Sequence, residues 1–187
     1  MCRTFFYVNQ INNYGRNMQY FLKNIAKKLV FGSILIYNYK VIRVKEEIYM
    51  VTLDKIYHAS YVLKDVVIPT PLVKATAISD DCEVYLKPEN LQITGSFKVR
   101  GSGYKISQLT EEEKKRGVIA CSAGNHAQGV ALAATKYGIK SLICLPDGAP
   151  ISKVEATKGY GAEVCMVPGV YDDAYNKACE LRDEHNY

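Results

Sequence analysis

From about residue 84 to its end, the sequence predicts an α/β fold built on a parallel sheet. Three observations predict it. Short apolar runs alternate with longer stretches of helical character. Glycines stand just past the helical stretches, where a chain turns back toward a strand. No internal repeat or low-complexity linker interrupts the alternation.

The elements follow in order. EVYLK (83–87) reads as a strand. SFKVRGSGYKISQL (96–109) reads as a helix, with Gly101 and Gly103 marking close packing. GVIACS (117–122) is a strand, and NHAQGVALAATKY (125–137) is a helix stopped by Gly138. KSLICL (140–145) is a strand that runs into the turn PDGAP. ISKVEATKGY (151–160) is a helix ending near Gly159 and Gly161, and AEVCMV (162–167) is a strand. The final stretch, 171–187, is a helix whose first turn suits Asp172 and Asp173. Upstream, Thr52 or Asp54 can cap a helix that carries Ile56, Ala59 and Leu63 on one face. Crossovers in such a sheet are right-handed, and ligands sit where strands run into helices.

Composition sets the outer limits. The 187 residues are 48% hydrophobic and 23% charged, ordinary for a globular chain. The net charge of +5 is unevenly spread. Residues 1–49 hold eight Lys/Arg against two Asp/Glu, while the remaining 16 basic and 17 acidic residues nearly cancel. A nucleic-acid-binding face would need basic charge on the folded part, so no nucleic-acid partner is expected. The six cysteines (Cys2, Cys82, Cys121, Cys144, Cys165 and Cys179) lack C-x-x-C spacing and read as small buried thiols of a reducing, cytoplasmic setting. No metal site is expected from them or from three histidines.

Residues 1–49 have a different texture, rich in Tyr, Asn, Ile and Lys, with no sustained period. They are expected to precede the natural start at Met50, with a targeting leader or an accessory segment as the alternatives. The apolar piece at 29–37 is shorter than the roughly 20 residues needed to span a bilayer, and no membrane role is expected.

Two loops carry chemistry. In GSFKVRG, Lys98 stands just inside a helix start that Thr94 or Ser96 can cap. The positive end of the helix dipole disfavours an ammonium there, which suits a reactive amine able to attack an aldehyde. The P-loop spacing is absent, and the GSG at 101–103 lies inside a helix, so neither is a nucleotide loop. In CSAGNHAQG (121–129), small residues open a helix whose free amides can hold an anion. Asn125 there is either a ligand-binding amide or a helix cap, and His126 is either an acid–base group or a packed loop residue.

PTPLVK, VYLKPENLQITGSFKVRG, SAGNHAQGVALAA and GAPISKVEATKGYGAEV together resemble the threonine dehydratases (threonine ammonia-lyases), pyridoxal-phosphate enzymes of fold type II. The resemblance runs from about Met50 to the end. It implies a two-domain α/β fold with the coenzyme, pyridoxal 5'-phosphate, in the cleft. Residues 50–91 would start the large domain, and 92–187 would form the small domain. Lys98 matches the Schiff-base lysine, Phe97 the residue against the pyridine ring, and Asn125 the partner of the phenolic oxygen. Ser122, Ala123, Gly124, Asn125 and His126 match the loop that receives the substrate carboxylate. Ile93, Thr94 and Gln128 match positions at which catabolic relatives bind an adenine nucleotide effector.

The implied activity converts L-threonine to 2-oxobutanoate and ammonia, with L-serine giving pyruvate. The family's homo-oligomers, dimers or tetramers, are implied for the full-length protein. Serine racemases are also similar, but typically carry a second serine where Ala123 stands, which favours elimination. The family's glycine-rich phosphate loop has no counterpart in this sequence. The chain is therefore expected to be the amino-terminal part of such an enzyme, weak in coenzyme binding and nearly inactive alone. The alternative is a non-catalytic fragment that acts as an interaction module.

Overall fold

The computed structural model describes residues 3–7, 51–78 and 82–187. The apolar piece at 29–37, Cys2 and the expected start at Met50 lie outside them. Two three-stranded sheets organise the described residues.

The first sheet has the order β1 (Arg3–Tyr7), β3 (Glu83–Lys87), β2 (Val73–Lys74). β1 runs parallel to β3, with Arg3 opposite Glu83 and Tyr7 opposite Lys87, while β2 is antiparallel to β3. The sequence signals no strand at 3–7 or at 73–74. Both are short and lack the alternation by which a strand is recognised.

Before β2 comes α1 (Leu53–Val62), capped as expected by Thr52, whose Oγ1 accepts from the Lys55 amide at 3.4 Å. The expected buried face is corrected: Leu63 is buried, but Ile56 is 53% exposed, with Leu53, Tyr57 and Tyr61 exposed beside it. The physical reason is where the helix touches its neighbour. It meets α2 (Lys98–Ser107) through the turn after its end, where a Cβ on Gly103 would lie 2.9 Å from Leu63 and 3.1 Å from Val66. Gly103 therefore serves close packing as expected, whereas Gly101 faces open space.

The second sheet carries the α/β reading. β4 (Val118–Cys121), β5 (Ser141–Pro146) and β6 (Glu163–Val167) are all parallel, in that order. Between them run α4 (Asn125–Lys136) and α5 (Ile151–Gly159), and α6 (Tyr171–His185) follows. Gly138 at φ +67° and Gly161 at φ +93° stand just past α4 and α5, a backbone conformation that residues with a Cβ rarely adopt. A short α3 (Glu111–Arg116) precedes β4, fixed by a reciprocal cap between Thr110 and Glu113.

Alternation in the strands sorts the two faces. Ile143 and Leu145 are fully buried under Ala127, Ala131 and Ala134 of α4 and Val154 of α5. The alanines bring α4 close to the sheet. On the other face α6 contributes the buried Ala174 and Ala178. Cys121, Cys144 and Cys165 stand directly opposite one another across the three strands. Cys144 is fully buried, and burial, with Cys165 beside it, pushes its thiol up to about 12. Cys82, Cys121, Cys165 and Cys179 are only partly buried, so the reading of all the thiols as core groups holds fully for Cys144 alone. No cysteine among the described residues is in a disulfide. No helix among them is long and apolar enough to cross a membrane, and no three or more of their His, Cys, Asp and Glu side chains are grouped to hold a metal ion.

Candidate functional site

Lys98 is the first residue of α2. The expected start at Ser96 is two residues early, because the Ser96 side chain accepts from the Lys98 amide at 3.3 Å and closes the turn ahead of the helix. Neither candidate is the cap: Phe97 takes that position without a side-chain hydrogen bond, and Ser96 supports the first helical amide from one residue further out. The Thr94 hydroxyl is turned to the Ser96 carbonyl at 3.3 Å. Gly95 makes the turn possible at φ +66°. The Lys98 ammonium lies 5.1 Å from the centre of the Phe97 ring and is open to solvent. Its place at the helix start is as expected.

A buried ionic network holds α2 in place. Glu89 is fully buried, and Arg100 donates to both its oxygens, Nε to Oε2 and Nη2 to Oε1, each at 2.8 Å. Thr70 donates to Oε1 at 2.6 Å, and Lys87 donates to the Thr70 carbonyl at 2.6 Å. Burial alone would raise the Glu89 pKa. The hydrogen bonds from Arg100 and Thr70, with the charges of Arg100 and Lys87, outweigh it, and the carboxyl is held below its ordinary value. The first turn of α2 is thus tied to the segment that leads into it.

The second loop meets the first through one glycine. A Cβ on Gly129 would lie 3.0 Å from Lys98 C, from Val99 N and from Ser102 Oγ. Only a residue without a side chain lets α4 lie this close to the start of α2. Gly124 is the residue before α4, so Asn125 is its first helical residue and not its cap. Helix geometry leaves the amides of Asn125 and His126 without intrahelical acceptors. The Ser122 hydroxyl accepts from the Gly124 amide at 3.3 Å, and Ala123 packs on the sheet core. His126 reaches solvent, yet the protein around its ring and, second, the charge of Lys98 push its pKa below the ordinary imidazole value. It is therefore neutral at pH 7 and stands within electrostatic reach of Lys98.

The fold thus sets Lys98 beside Phe97 and within electrostatic reach of His126, with Asn125 next to His126 at the start of α4. The other singled-out positions lie differently. Ile93 is 39% exposed, and its carbonyl accepts from the Tyr160 hydroxyl at 2.9 Å. Thr94 and Gln128 are buried, and Gln128 Nε2 has no hydrogen-bond partner among the described residues.

Sequence reasoning missed Lys153. It lies in the first turn of α5, and its Nζ donates to Asn125 Oδ1 at 2.8 Å. The signal was legible. A lysine in a first helical turn opposes the dipole, the argument that singled out Lys98.

The arrangement offers an amine, an amide with a free N–H side and a helix start, which suits an electrophilic carbonyl compound that carries negative charge. Comparisons with known proteins bear on which one. A family model described as "Pyridoxal-phosphate dependent enzyme" matches residues 63–187. An L-threonine ammonia-lyase of Thermotoga maritima is 49% identical over 137 residues, which are 72% of this chain and 34% of that protein. The processed form of threonine deaminase isoform 2 from Solanum lycopersicum superposes with a TM-score of 0.64 at 34% identity, over 72% of this chain and 41% of that one. Maize serine racemase superposes with a TM-score of 0.67 at 33% identity, over 71% and 41%. The chain spans about a third of the length of the curated relatives it matches.

Proposed function

The chain belongs to the pyridoxal-phosphate dependent enzymes, and from that premise we propose that it contributes the lysine-bearing part of an L-threonine ammonia-lyase. The residues present fit the coenzyme's aldehyde side. Lys98 Nζ is the nucleophile toward the aldehyde, Phe97 beside it offers an aromatic face to the pyridine ring, and Asn125 offers an N–H to the phenolic oxygen. The coenzyme supplies an electron sink for charge that develops at the substrate Cα.

The rest falls to this chain's own groups. The amides that open α4, with Ser122 through His126, receive the substrate carboxylate. Lys98 Nζ takes the Cα proton, the β-hydroxyl departs as water with a proton, and the released enamine takes up one water to give the keto acid and ammonia. The net reaction is L-threonine to 2-oxobutanoate and ammonia, and L-serine gives pyruvate in the same way. His126, neutral beside Lys98, is able to accept a proton or a hydrogen bond at the mouth of this loop.

The observation that carries the reading is the closure of α4 onto the first turn of α2 at Gly129, which sets the Asn125 loop beside Lys98. Maize serine racemase supports a second reading, racemisation. Ala123 has no proton to deliver from the opposite face, so elimination is preferred. An effector site at Ile93, Thr94 and Gln128 is a further proposal, supported by the unpaired Gln128 amide. So are a homo-oligomer of the whole protein and a cytoplasmic setting.

Borohydride reduction of the whole, coenzyme-loaded protein tests the assignment. The label is expected on the peptide carrying Lys98, and Lys98→Ala is expected to abolish both label and keto-acid release. A label on another side chain overturns it.

A further inference from the structure

We infer that Lys153 is a positioning residue that fixes the orientation of the Asn125 amide. The inference rests on the proposed function and deepens it. An ammonium group has only donors, so the amide must turn its oxygen to Lys153 and its NH2 the other way. Without Lys153 the two faces of the amide would be nearly interchangeable. With it, Asn125 presents a donor alone. A donor is what an anionic phenolic oxygen needs, and an oxygen in that place would repel it.

The lysine is held for this purpose from several sides. Its carbonyl accepts from Thr157 Oγ1 at 2.7 Å, and Thr157 is fully buried. Its own amide donates to the Pro150 carbonyl at 2.8 Å. α4 and α5 both start at the carboxyl edge of the sheet, after neighbouring strands β4 and β5. Their positive ends therefore meet there, and a third positive charge is costly unless an acceptor holds it. Asn125 Oδ1 is that acceptor. In return the ammonium polarises the amide and strengthens its N–H toward an anion.

The test reads the side-chain NH2 of Asn125 in the coenzyme-free 187-residue chain by 1H–15N NMR with 15N-asparagine. The pair of cross-peaks is assigned by its loss in Asn125→Ala. Lys153→Met is expected to move that pair, and Lys153→Arg to restore it. Unmoved cross-peaks in Lys153→Met overturn the inference. If Lys153→Met does not fold, the Lys153 15Nζ resonance is compared between wild type and Asn125→Ala, and an unchanged resonance overturns it equally. A titration with pyridoxal 5'-phosphate follows. Lys153→Met is expected to raise the Kd roughly tenfold, the scale of one lost charge-assisted hydrogen bond. An unchanged Kd overturns the positioning role. This titration is read on the whole protein; a whole wild-type protein that takes up no coenzyme counts against the proposed function instead, and the cross-peaks then decide the inference by themselves.

Discussion

The two sheets of this molecule are built to different standards. In the β4–β5–β6 sheet both faces are covered, by α4 and α5 on one side and α6 on the other, and Ile143 and Leu145 have no exposed surface. On α1 and at β2, Leu53, Ile56, Tyr57, Tyr61, Leu72 and Val73 remain at least 45% exposed among the described residues. Lys98 stands where the two regions join. It gets its helix start from the segment after β3 and its neighbours from α4 of the covered sheet. The difference teaches that Lys98 is positioned by two attachments, the Glu89–Arg100 network on one side and the Gly129 contact on the other.

The sharpest way to break this comparison is to compare a truncation in each region. Ile143→Ala leaves a cavity in the covered sheet and is expected to cost about 3 to 4 kcal/mol. Ile56→Ala, on an exposed face, is expected to stay within about 0.5 kcal/mol. Urea unfolding midpoints check both, and equal losses would erase the distinction. Arg100→Ala comes next. It strands a buried carboxylate that keeps only Thr70 and Lys87, and a loss of about 2 to 3 kcal/mol is expected, below the range for a fully buried pair because Arg100 is partly exposed.

Gly129→Ala is expected to cost about 1 to 3 kcal/mol, because backbone atoms at 3.0 Å cannot turn aside as a flexible side chain does. It should also slow modification of Lys98 by aldehydes, which mass spectrometry of the labelled peptide measures. The smallest effect is with pH. The Glu89 carboxyl is lowered on folding, so the folded state binds fewer protons there. Its contribution is complete above the ordinary glutamate value and is lost as pH falls through the lower folded value. Between pH about 5 and about 3 the unfolding midpoint should fall, and more steeply in wild type than in Glu89→Gln.

The alternation of strands and helices from residue 83 was legible because each element carries its own period and its own stop. Gly138 and Gly161 mark helix ends by a conformation that glycine tolerates best. Thr110 and Glu113 spell a reciprocal cap that the sequence displays, although α3 was not read from it. The strand at 3–7 and the exposure of Ile56 were not legible. Pairing with β3 and the lack of a covering neighbour among the described residues are facts about distant partners, not about local pattern.

The same division holds at the site. The residue types of the two loops, an amine and an amide each at a helix start, were written in local sequence, because capping and helix dipoles act over a single turn. Which groups touch was decided only in three dimensions. Lys153 reaches Asn125 across 28 positions, and Arg100 reaches Glu89 across 11. The first contact follows from how closely α4 and α5 pack beside each other, and the second from how α2 folds back on the segment that leads into it, which no single stretch of sequence states.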